Sequence, residues 1–251
     1  MPRATNRDLS FDDAIRALRE GKFVLVHDVS SREDETDMVI AAEFVTPDHI
    51  RRLREEAGGF VCQAISHSTA EILGLPFLPE IYRLAAKNYS ILTELADGVA
   101  PYGDRTAFSI TVNHRTTYTG ITDHDRAITV KELTKLCEIA SIKNTAKARK
   151  LLASEFRSPG HVHILIAAAG LLATRRGHTE LSLYLAELAG LIPATVICEI
   201  LDGKTHNALT NNLAKKYAKE NGIPFIEGTD LIASFEAKKL SRKSSKRNVQ
   251  S

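Results

Sequence analysis

A dense acidic stretch, Ser30 to Asp37, stands between two β-branched apolar runs, Lys22-Phe23-Val24-Leu25-Val26-His27-Asp28 and Met38-Val39-Ile40-Ala41-Ala42. That pattern predicts a strand, a polar loop and a second strand with no helix between them. Strands that do not strictly alternate with helices argue against a doubly wound fold and for an α+β fold. The expected architecture is a single domain: one mixed, twisted sheet covered by helices in three layers.

The rest of the chain agrees. Phe11 to Arg19 reads as a short amphipathic helix behind a Ser10 cap, ended by Gly21. Thr46-Pro47-Asp48 opens a helix to about Ala57, and Phe60 to Ile65 is a strand. Residues 68–103 mix short apolar patches with Pro76, Pro79 and Gly98 and read as irregular with short helices. Thr106 to Asn113 reads as a strand and Ile128 to Ile139 as a helix. Val162 to Leu172 is an apolar run with a turn at Gly170. Thr179 to Leu188 and Asn207 to Asn221 read as helices, Ala194 to Leu201 as a buried strand. Pro224-Phe225-Ile226 and Thr229 to Phe235 close the fold. With 251 residues and neither linker nor repeat, residues 1–236 form the expected domain.

Composition narrows the class. With 43% apolar and 25% charged residues the bulk of the chain can bury a core. No window is apolar enough for a membrane span and the first residues lack the apolar core of a signal peptide, so a cytoplasmic location is expected. Cys62, Cys137 and Cys198 are scattered in apolar runs and read as buried free thiols. The net charge of +2 hides an asymmetry: removing Lys238, Lys239, Arg242, Lys243, Lys246 and Arg247 from it leaves −4 for the body. Residues 237–251 therefore read as a basic, disordered tail. No dinucleotide or phosphate-loop glycine pattern occurs.

Four places can carry chemistry. Arg32-Glu33-Asp34-Glu35-Thr36-Asp37 packs four carboxylates beside one guanidinium. A solvated turn would look similar, but crowded carboxylates become comfortable together when a cation lies between them, and an oxygen-rich set suits a hard ion such as magnesium or manganese. Arg175-Arg176-Gly177-His178-Thr179-Glu180 ends an apolar segment and starts a helix, with Thr179 as the expected N-cap. Free N–H groups there, with two arginines alongside, suit a phosphate. In Phe156-Arg157-Ser158-Pro159-Gly160-His161 a Pro-Gly turn is expected to present His161, a residue able to move protons near neutral pH. Glu199 sits inside the apolar run Val196 to Leu201, where a carboxylate needs a partner.

Together with Tyr118-Thr119-Gly120-Ile121, His124-Asp125-Arg126 and Val196-Ile197-Cys198-Glu199-Ile200, these motifs resemble the 3,4-dihydroxy-2-butanone 4-phosphate synthase family of riboflavin biosynthesis, over nearly the whole chain up to the basic tail. The resemblance implies a lyase that converts D-ribulose 5-phosphate to the four-carbon phosphate and formate with Mg2+ or Mn2+. It implies that Glu33 and His178 bind the metal. Arg32, Glu33, Asp37, Arg175, Arg176, Gly177, His178, Thr179 and Glu199 would contact substrate, and His161 and Glu199 would be catalytic. Asp28 and Cys62 lie close to the motifs and are candidates to line the pocket. The family further implies a homodimer with sites near the subunit interface, and the lack of clustered zinc cysteines predicts no fused cyclohydrolase activity; from the apolar windows and the acidic body no membrane or nucleic-acid partner is expected. The acidic loop departs from many members, which have Gly before the last Asp. Two rival readings remain: another metal-dependent sugar phosphate isomerase or aldolase, and a nucleic-acid-binding module acting through the tail, which the acidic body and the lack of aromatics beside the basic run support poorly.

Overall fold

The computed structural model of the chain describes residues 10–96 and 99–248. Helix α1 (Phe11–Arg19) starts from a capping box in which the Ser10 hydroxyl accepts the Asp13 N–H and the Asp13 carboxylate accepts the Ser10 N–H at 2.8 Å. Strands β1 (Val24–His27) and β2 (Thr36–Ala41) pair antiparallel around the acidic loop. Then come α2 (Pro47–Glu56), with Pro47 in its first turn behind Thr46, β3 (Cys62–Ile65), α3 (His67–Leu73), α4 (Leu78–Ala85), α5 (Ile91–Leu95) and β4 (Phe108–His114). The second half contains α6 (Asp123–Ser141), α7 (Thr145–Glu155), β5 (Phe156–Ile166), α8 (His178–Ala189), β6 (Ala194–Glu199), α9 (Asn211–Asn221), β7 (Phe225–Glu227) and α10 (Gly228–Asn248).

All seven strands join one sheet in the order β4-β5-β3-β6-β2-β1-β7. It is mixed: β5–β3 and β1–β7 are parallel and the other neighbours antiparallel. Alternation along the strands sends Leu25, Met38, Ile40, Ile65, Ile164 and Val196 to one face, where they pack with α2, α3, α6, α7 and α9. Val24, Val39, Cys62, Leu165 and Ile197 face the other side and pack with α1, α8 and α10. This is the expected three-layer arrangement, its two cores separated by the sheet.

Some boundaries differ from the sequence reading. Helix α6 starts at Asp123 behind the N-cap Thr122, whose hydroxyl accepts the Asp125 N–H at 3.1 Å, several residues before the apolar spacing begins. Helix α7 was not anticipated: it packs through Ala148 with the half-buried Leu151 and Leu152, a short apolar stripe among charged and polar residues. Phe156 to Ile166 is one strand with a bulge, where a Pro-Gly turn was expected, because side chains of β4 hold the extra residues. The basic segment read as disordered from residue 237 is helical to Asn248, as a continuation of α10 through Ala, Lys, Leu and Arg residues with no Gly or Pro to stop it. Residues 249–251 lie outside the described residues. Among the described residues no helix is long and apolar enough to cross a membrane.

One end of the sheet gathers the termini that matter. There β1 and β6 finish, β2 and β3 begin, and the N-terminus of α8 overhangs them. Register places Asp37 opposite Glu199 and Cys62 opposite Ile197, all on the α8 face. The packing beneath this end makes a direct prediction. Leu53 on α2 is fully buried, so Leu53→Ala should cost about 2–5 kcal/mol. A urea titration should show a lower midpoint with an unchanged slope.

Candidate active site

The loop between β1 and β2 is folded by its own first residue. Asp28 is 2% exposed; its Oδ1 accepts the Val29 N–H at 2.6 Å, and its own N–H donates to Glu35 O at 2.9 Å. Arg32 donates from Nη1 to Asp28 Oδ2 at 2.5 Å, and from Nε and Nη2 to Asp104 Oδ2 at 2.9 and 2.7 Å. Its guanidinium also lies 4.9 Å from the centre of the Tyr102 ring. The Tyr102 hydroxyl in turn donates to Glu33 Oε1 at 2.5 Å. The loop that the sequence marks as a cluster of carboxylates is thus pinned on both sides.

Glu33 and His178 meet although 145 positions separate them: Oε2 is 2.8 Å from Nδ1. His178 is buried, with Nε2 3.2 Å from Glu35 O and 3.7 Å from Asp37 Oδ1. Burial disfavours a charged imidazole, but Asp37, Glu33 and Asp28 outweigh it and push the ring up to about 10. Burial likewise opposes ionisation of Glu33, and hydrogen bonds from His178 and Tyr102 overcome it, holding the carboxyl at about 2. Asp37 behaves in the opposite way. Burial, with Glu199, Glu33 and Glu35 nearby, pushes it up to about 8 despite the counteracting charge on His178. Its Oδ1 is buried and accepts no hydrogen bond. Burial and the neighbouring carboxylates raise Glu35 as well.

The start of α8 supplies the positive side. Gly177, and not Thr179, is the N-cap, and the buried Glu180 carboxylate accepts the Gly177 N–H at 3.3 Å. A Cβ here would lie 2.5 Å from Arg175 Nη1 and 3.0 Å from Arg32 Nη2, so either guanidinium would have to move to admit a side chain. Arg175 donates to Glu180 Oε2 at 2.7 Å and its Nε lies 3.5 Å from Asp104 Oδ2. One carboxylate, Asp104, therefore bridges both arginines.

These groups surround a cavity of about 410 Å³. Glu33, Asp37, Cys62, Arg175, His178, Thr179 and Glu199, all singled out from the sequence, line it. Arg32, Asp28 and Gly177 are outside that lining but adjoin it: Arg32 pairs with Asp28 and with the lining residues Glu33 and Asp104, and Gly177 lies beside Arg175. Two candidates fall elsewhere. Arg176 is exposed and donates to Glu236 on α10 at 2.6 Å, and His161 is exposed on the β5 bulge outside the lining. Tyr102, Asp104, Thr106 and Phe108 line the cavity but were not singled out from sequence. Tyr102 and Asp104 alternate with Pro101 and Gly103 in a stretch without periodicity, and Thr106 and Phe108 open the strand read from Thr106 to Asn113, so only turn and strand signals mark them.

Could a cation be held here? Carboxylate oxygens of Asp28 and Glu33 and an imidazole nitrogen of His178 lie within 4.8 Å of one another. Asp28 is already neutralised by Arg32, which leaves Glu33 and His178 as the better pair, and the unshared Asp37 oxygen points to a donor still to be met. The donor set is the oxygen-rich, single-imidazole kind that hard divalent ions accept.

A mixed sheet whose strand ends hold buried carboxylates against an arginine-flanked helix start is the architecture of an enzyme for small, oxygen-rich anions. The family model described as 3,4-dihydroxy-2-butanone 4-phosphate synthase matches residues 12–234, and the chain belongs to that family of lyases. It is 44% identical over 227 residues to the 3,4-dihydroxy-2-butanone 4-phosphate synthase of Methanothermobacter thermautotrophicus, covering 90% of this chain and 96% of the relative. It is also 44% identical over 229 residues to that of Archaeoglobus fulgidus, covering 90% and 94%. Among solved structures, a 3,4-dihydroxy-2-butanone 4-phosphate synthase in complex with two magnesium ions superposes with a TM-score of 0.73 at 30% identity, covering 92% of this chain and 98% of that one.

The Arg175–Glu180 pair yields a test of the site's scaffold. Glu180 is fully buried, so Glu180→Ala should destabilise the fold by about 3–5 kcal/mol, because Arg175 would lose its buried partner. Thermal and chemical denaturation of the variant should agree on that loss.

Proposed function

We propose that this cavity converts D-ribulose 5-phosphate to 3,4-dihydroxy-2-butanone 4-phosphate and formate, with Glu33 and His178 holding a divalent ion. The conversion to the four-carbon phosphate, a step of riboflavin biosynthesis, is the activity of the family to which the chain belongs. The observation that carries the site assignment is the Glu33–His178 contact among otherwise repelling carboxylates. Mg2+ is the ion we favour, and Mn2+ suits the same donors. When bound, the ion supplies a Lewis acid that stabilises negative charge on a carbonyl oxygen.

The chain's own groups do the rest. Arg175, Gly177 and Thr179 at the start of α8 receive the phosphate, with Arg32 behind them. That anion competes with Asp104 for the two guanidinium groups. Glu33 and Asp37 face the sugar hydroxyls; Asp37, raised by burial, can carry a proton at neutral pH and deliver it to a departing hydroxyl. Glu199 takes a proton from carbon or oxygen of the bound sugar, a role supported by its position opposite Asp37 in register.

His161 is outside the cavity of its own chain, and its exposure supports a homodimer in which His161 of the partner subunit completes each site. Arg176, paired with Glu236, is the weakest of the substrate contacts carried over from the resemblance.

Three results are expected. Purified protein with ribulose 5-phosphate and Mg2+ releases formate, stops with excess chelator, and recovers on adding Mg2+; an isomerase or aldolase would release none. Glu199→Ala or His161→Ala lowers the rate roughly 100-fold or more. Mixing those two inactive variants restores up to about a quarter of parental activity if His161 acts across a two-fold dimer, and none if it acts within its own chain.

A further inference from the structure

Backbone bonds on either side of Asn113 determine which way its amide faces. Its Oδ1 accepts the backbone N–H of His161 at 2.8 Å, and its Nδ2 lies 3.4 Å from the carbonyl oxygen of Thr119. A backbone N–H only donates and a carbonyl only accepts, so the amide cannot be turned over without losing both. The same Nδ2 stands 3.1 Å from Nδ1 of His161. That ring nitrogen therefore accepts, and its proton resides on Nε2.

The arrangement is rigid. Asn113 is 3% exposed, and a Cβ on Gly120, whose φ is +92°, would fall 2.0 Å from Asn113 Nδ2. The bulge that carries His161 arises because β5 has Ser158, Pro159, Gly160 and His161 between the partners of Val112 and Asn113. It is held to β4 by Ser158 Oγ donating to Thr111 O at 2.7 Å and by the Gly160 N–H donating to Thr111 Oγ1 at 3.0 Å.

We infer that Asn113 is a positioning residue that holds the His161 imidazole in its Nε2-protonated tautomer, so that the ring meets substrate as a hydrogen-bond donor and not as a base. Taking up a proton would require it at Nδ1, where the Asn113 amide already points an N–H. The assignment deepens the proposed reaction and rests on the reading that His161 serves it: His161 polarises a substrate oxygen, and the proton acceptor is a carboxylate of the cavity.

Nitrogen-15 NMR of the full chain reads the tautomer directly, with the His161 signals identified by their loss in His161→Gln. The parent at neutral pH should show His161 protonated at Nε2 alone. In Asn113→Asp the carboxylate should draw the proton to Nδ1, and kcat should fall about 100-fold or more with little change in KM. A parent spectrum with Nδ1 protonated, or an Asn113→Asp spectrum that keeps the proton on Nε2, would overturn the inference. The parent spectrum decides even if the variant folds poorly. Should His161→Gln retain full formate release, the catalytic reading of His161 falls while the tautomer result stands by itself.

Discussion

Like charge crowded at one end of a sheet is the constraint around which the rest of this molecule is arranged. Asp28, Glu33, Glu35, Asp37 and Glu199 converge there, and without compensating positive charge their repulsion and desolvation would oppose folding. The Glu33–His178 contact at 2.8 Å supplies part of the compensation, and Arg32 and Arg175, tied together through Asp104, supply much of the remainder. Asp37 is left only partly compensated, and its carboxyl is pushed up to about 8 as a result. A cavity that keeps such a residue is under electrostatic tension that a cation or a proton relieves.

Secondary structure delivers these groups with little freedom. Strand alternation puts Asp37, Cys62, Ile197 and Glu199 on one face, and the antiparallel register sets Asp37 against Glu199. Helix α8 then lies across that face with its first turn over the carboxylates. Because Gly177 has no side chain, two guanidinium groups approach the backbone where an anion is best received. Scaffold and site are therefore the same hydrogen bonds: Glu180 caps α8, anchors Ala168 and orients Arg175 at once.

Legibility in the sequence followed physical type. The acidic loop, the Arg-Arg-Gly-His helix start and Glu199 were visible because each breaks a local rule, as a charge cluster between strands or a carboxylate in an apolar run. Tyr102 and Asp104 break none. In sequence they are ordinary loop residues, and only their contacts with Glu33, Arg32 and Arg175 mark them. Arg176 shows the converse: adjacent to Arg175 in sequence, it leaves the cavity because the turn into α8 points the two side chains apart, toward Glu180 and Glu236. Helix α7 was hard to read because its apolar stripe is short, Ala148 with the half-buried Leu151 and Leu152, and the β5 bulge because side chains of β4 hold it.

The chain's own pattern determined the class of fold, since apolar periodicity of two and of about 3.6 is a local property that survives without knowledge of partners. It also determined which residue types could do chemistry. Tertiary structure alone decided which of them meet: that His178 reaches Glu33, that one aspartate joins two arginines, and that His161 lies outside the lining of its own chain's cavity. Those outcomes depend on register, on the angle at which α8 crosses the sheet and on the path of a loop, and no local pattern encodes the distance between side chains far apart along the chain.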